Sequence, residues 1–108
     1  MKIRHYVLDA DNRPVEADLM TWAQWWETAS NRIVDWTQIN SEVMVSTVFL
    51  GLDHRFGGKG PPLLFETMIF GAGDEAQNDV WRYSSWDDAK TGHAAVVSRL
   101  RADKKAPA

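Results

Sequence analysis

Four side chains of this 108-residue chain combine residue types that do acid–base or metal chemistry with places in or beside apolar runs. Asp53 and His54 close one apolar run, Glu66 lies inside the next, and His93 falls on the apolar side of a C-terminal helical pattern. Imidazole with carboxylates can hold a divalent metal or pass a proton, so the four form a candidate ligand-binding set. Their spacing matches no diagnostic metal motif, and no metal site is assigned. In the competing reading Asp53 and His54 end a strand through local hydrogen bonds. Glu66 then faces solvent or pairs with Arg55 or Arg82, and a buried His93 needs a partner for each ring nitrogen, which Glu66 could supply. Register decides between the two, because a slip of one residue moves Glu66 to the other face of its sheet.

Other chemistry is poorly represented. "FGGKGPP" (56–62) has glycines and a lysine but not the spacing of a phosphate-binding loop, and prolines rather than a helix follow it. "DADNRP" (9–14) places Pro14 where a calcium loop needs glycine and is followed by Met20 where the bidentate acid belongs. There is no G-x-S-x-G, H-E-x-x-H or G-x-G-x-x-G. The chain has no cysteine, which removes disulfides, thiol nucleophiles and Cys-type zinc sites. A non-catalytic protein without a cofactor is expected.

The elements that must position these residues can be read from periodicity. "KIRHYVL" (2–8) alternates as a strand, turn residues follow, and "VEA" (15–17) returns as a short second strand. "DLMTWAQWWETAS" (18–30) is a helix capped by Asp18, with Leu19, Trp22, Ala23, Trp26 and Ala29 as the stripe that packs on a sheet. "RIVDWTQI" (32–39) alternates, with Ile33 and Ile39 on one side and Val34 and Trp36 on the other. "VMVSTVFLGL" (43–52), "LLFETMIF" (63–70) and "VWRYS" (80–84) continue a meander. The loop "GAGDEAQND" (71–79) lies between the last two. Ser85 and Asp88 have capping-box spacing ahead of a second helix from 86 to about 102. Trp86, Ala89, His93, Val96, Val97 and Leu100 form its apolar face, and Gly92 inside it calls for a close backbone approach or mere tolerance. A tail from 104 to 108 should fray.

Short links between consecutive strands imply antiparallel pairing. The fold class is therefore α+β: one domain over 1–103, an antiparallel sheet of about four to six strands, and two amphipathic helices on one face. Strands 43–52 and 63–70 are apolar on both sides, so the other face needs strong curvature or a partner copy, and a homodimer is one expectation. Six tryptophans are many for this length. Most should be core, while Trp25 and Trp36 are candidates for a protein interface.

The formal charge of −3 argues against general nucleic-acid binding. No run is long enough to span a membrane and the N-terminus has no signal-type apolar region, so a cytoplasmic protein is expected.

Three stretches, "YVLDADNRPVEADLMTWAQWWE", "STVFLGLDHRFGGKGPPLLFETMIFG" and "WRYSSWDDAKTGHAAVV", together resemble the small uncharacterised proteins of tailed phages and prophages. The resemblance covers most of the chain and brings no catalytic residue or cofactor. It implies a phage origin, action in the bacterial host cytoplasm and binding to a host protein, with inhibition of antiphage defence as one form. Two further expectations stand beside this. One is a small-molecule- or metal-binding protein, a ligand sponge or hydrolase, using Asp53, His54, Glu66 and His93. The other is a minor structural or assembly protein of the virion.

Overall fold

The computed structural model describes residues 3–55, 58–71 and 79–105. Two strands, β1 (His5–Leu8) and β2 (Pro14–Ala17), form an antiparallel hairpin. Helix α1 (Leu19–Thr28) follows, then β3 (Ile33–Gln38), β4 (Met44–Phe49), β5 (Phe65–Phe70) and β6 (Val80–Tyr83), and finally helix α2 (Trp86–Lys105). The four later strands make one antiparallel sheet in the order β3-β4-β5-β6. The fold is thus α+β, its six strands divided between a four-stranded and a two-stranded sheet.

Both helix starts follow from side-chain capping. Asp18 Oδ1 accepts from Thr21 N–H at 2.8 Å, and Ser85 Oγ accepts from Asp88 N–H at 3.1 Å, each quieting a donor that the first turn leaves unpaired. Helix α2 runs to Lys105, past its expected end near 102; residues 106–108, most of loop 71–79 and the first two residues of the 56–62 glycine loop fall outside the described residues.

Alternation along β4 and β5 turns Val45, Thr47 and Phe49, and Phe65, Thr67 and Ile69, to one buried face. Helix α2 lies across that face and contacts all four strands. At one end Val96 and Val97 meet Val45 and Ile69 in an apolar cluster. At the other, Phe49, Phe65 and Leu64 form a second cluster with Tyr6 and Leu8 of the hairpin, Val34 and Ala89. Helix α1 closes this end by setting Trp25 edge-on to Phe49, with ring centroids 5.7 Å apart. Trp22, Ala23, Trp26 and Ala29 of the expected stripe are half-buried and Trp25 joins them, whereas Leu19, at the helix start, is 58% exposed.

The hairpin is joined to the end of β4 by Tyr6 N–H to Gly51 O, 2.8 Å, and by a bridge between His5 and Leu52. Gly51 makes the join possible. Its φ is +73°, and a Cβ there would stand 2.7 Å from both Trp22 and Trp26.

Strand β3 departs from strict alternation. Ile33 is paired with Val48 but Asp35 with Thr47, so a bulge absorbs Val34. Val34 and Asp35 therefore share the helix-covered side while Trp36 points away from it. This corrects the grouping of Val34 with Trp36, and of Ile33 with Ile39: Ile33 is 61% exposed, whereas Ile39 packs on the buried Val45–Ile69 cluster.

Candidate functional site

The four chemistry-bearing residues are separated by the register. Glu66 pairs across the strands with Arg82 and Val48 on the face away from α2, and its carboxylate lies 3.4 Å from Arg82 Nε. His93 is on the opposite side of the sheet, 2% exposed, so the two cannot form the pair considered from sequence. Asp53 Oδ1 accepts from the N–H groups of Arg55 and Leu63, at 2.9 and 3.0 Å, and so fixes both ends of the glycine–proline loop. His54 Nδ1 is 2.9 Å from the Leu52 carbonyl. Among the described residues no group of three or more His, Asp or Glu side chains could hold a metal ion.

His93 instead completes a polar belt between the two apolar clusters. Its Nδ1 is 2.7 Å from Thr47 Oγ1, and its Nε2 is 2.8 Å from Thr37 Oγ1. Thr47 Oγ1 lies 2.6 Å from Thr67 Oγ1, to which the Tyr83 hydroxyl donates at 3.1 Å. Each hydroxyl has one proton, and Thr47 and Thr67 are fully buried. An order in which every proton finds an acceptor runs from Tyr83 to Thr67, to Thr47, to His93 Nδ1, and from His93 Nε2–H to Thr37. That order makes His93 neutral with its proton on Nε2. Burial holds its pKa below the ordinary histidine range; Asp35, whose carboxylate is 4.0 Å from Nε2, raises it, and Lys90 lowers it. A fully satisfied neutral imidazole inside a core specifies packing and register, and sequence gave only its position on the apolar helix face.

Among the described residues no helix packs on the other side of the same sheet. Its side chains come in cross-strand rows: Gln38, Met44 and Phe70; Trp36, Ser46, Met68 and Val80; Ile33, Val48, Glu66 and Arg82. Most are apolar, and Ile33, Trp36, Phe70 and Val80 are 61%, 51%, 43% and 40% exposed. Trp36 Nε1–H donates to Met44 Sδ at 2.8 Å, tying the indole to the neighbouring strand. The Glu66–Arg82 pair neutralises one corner. Of the two tryptophans singled out from sequence, Trp36 belongs to this face and Trp25 is half-buried against Phe49. Ile33, Met44, Met68, Phe70 and Val80 were not singled out, although two-sided apolarity of the central strands was the signal that pointed to them.

Compared with known proteins, the chain matches no family model, no curated protein and no solved structure. No helix among the described residues is long and apolar enough to cross a membrane.

Proposed function

We propose that this protein is a non-catalytic binding module whose open sheet face receives an amphipathic helix of a host protein, in keeping with the phage resemblance and with action in a bacterial cytoplasm. The observation that carries this reading is the row of half-exposed apolar side chains around Trp36 on a sheet whose other face is already covered by a helix.

Size selects the occupant. Four strands of up to six residues span a face of roughly 400 Å². A stable pair of globular partners buries about 800 Å² of accessible surface on each, a broader contact than this footprint, so a single helix is its closer match. It is about 20 Å long, which matches a helix of about thirteen residues at 1.5 Å per residue. Helix α2 covers the same four strands on the inner side, so strand spacing and twist already suit a helix. Trp36 supplies the rigid aromatic anchor, and Met44 and Met68 supply side chains that adapt to the partner's shape.

The test is a photo-crosslinking amino acid at Ser46, in the middle of the face, compared with one at Asp87 on exposed α2, in bacterial cells. The reading expects one host protein crosslinked from position 46 and not from 87, through a segment with an apolar helical stripe. Met68→Glu should abolish the adduct while leaving the far-ultraviolet spectrum unchanged. Crosslinks to a second copy of the chain, equal labelling from both positions, or no adduct would each overturn it.

A further inference from the structure

A cleft of about 360 Å³ opens where the end of α1 faces the start of β3 and the end of β4. Its wall is apolar, built from Trp26, Ile33, Val48, Phe49 and Leu50, and its polar groups come from Ser30 and Arg32. The Arg32 guanidinium carbon lies 4.7 Å from the Trp26 ring centroid, which holds the planar cation against the rim. Arg32 Nε is buried and has no hydrogen-bond partner among the described residues. Nε is shielded from the cleft, so an anion reaches it only with a shift of the Arg32 side chain; on doing so it supplies the missing acceptor and relieves the cost of a buried unpaired donor.

We propose that this cleft binds a small amphiphilic anion, an aromatic carboxylate, with its ring on the Val48–Leu50 wall and its carboxylate on Arg32 and the Ser30 hydroxyl. Three features lead to that class. The volume lies at the lower end of the range for small-molecule sites, which favours one or two fused rings over a nucleotide. The wall offers apolar contact but few donors, so a sugar or polyol would lose hydrogen bonds on entering. The charge at the mouth is a planar fork stacked on Trp26, whose geometry matches a carboxylate. The cleft meets the open sheet face only at Ile33 and Val48. It differs in chemistry from that face and does not depend on its having a protein partner.

1-Naphthoate is a suitable probe, with 1-naphthalenemethanol as its neutral counterpart, titrated into the whole chain and followed by amide and indole N–H chemical shifts. A probe of about thirteen non-hydrogen atoms at ordinary ligand efficiency should bind with Kd of about 1 mM or tighter. Saturable shifts should centre on Trp26, Ala29, Ile33 and Leu50. Arg32→Gln should weaken naphthoate about tenfold or more and leave the alcohol unaffected. Ala29→Phe, which fills the cleft and keeps the charge, should remove both ligands. Absence of saturable shifts in the natural protein, shifts centred on Trp36, or equal binding of acid and alcohol would overturn the proposal without relying on how any variant folds.

Discussion

Gly92 illustrates how a single residue can be read only against its neighbour. In a helix interior glycine costs about 1 kcal/mol relative to alanine, so propensity alone says that Gly92→Ala should stabilise. A Cβ at that position, however, would overlap the Tyr83 ring of β6, whose hydroxyl is tied to Thr67. Overpacking of this kind costs about 1–3 kcal/mol, so the expected net result is a loss of about 1 kcal/mol. Urea unfolding of Gly92→Ala checks this. In a Tyr83→Ala background the same substitution should change sign and stabilise, because only the propensity remains. Stabilisation in the natural background would mean that Tyr83 moves aside freely. The unusual glycine was visible in sequence, but its reason was not, since it lies on another element.

At the scale of elements, capping and periodicity explain most boundaries. Ser85→Ala should cost about 1 kcal/mol, by removing the acceptor for the Asp88 N–H at the start of α2. For a chain of this length that corresponds to a fall in Tm of about 4 °C, measurable by calorimetry. An unchanged Tm would show that water replaces the hydroxyl at no cost. Residue type located β4 and β5, but because both strands are apolar on both sides it did not say which row is buried, and it left Glu66 open between solvent, Arg55 and Arg82; register chose Arg82. Alternation failed on β3, because the bulge at Val34 adds one residue and reverses the facing of everything before it. The pattern "IVDWTQ" gives no sign of that extra residue: Val34 is as suitable for an outer face as for an inner one.

The whole molecule is joined through the polar belt, which links β3, β4, β5 and β6 to α2 by way of His93. Its titration should therefore appear in global stability. The native pKa of His93 is depressed by burial, so the unfolded chain binds the proton more tightly. Stability from this group is complete above the unfolded value of about 6.5 and declines as pH falls from there towards the depressed native value. Unfolding free energies measured from about pH 8 to about pH 5.5 should fall more steeply in the natural chain than in His93→Gln. Equal slopes would place the titrating group elsewhere.

Composition and patterning by themselves determined the α+β class, two capped helices, the four-strand meander and an apolar surplus on the central strands, because each depends on residues near one another in the chain. Tertiary structure alone decided that Glu66 and His93 lie on opposite sides, that His93 is satisfied within a series of three threonines and a tyrosine, and that Arg32 stacks on Trp26 with its Nε lacking a hydrogen-bond partner among the described residues. Those outcomes depend on register, on one bulge and on how α1 and α2 meet the sheet. Such long-range geometry is set by the packing of many side chains at once, and no local spacing encodes it.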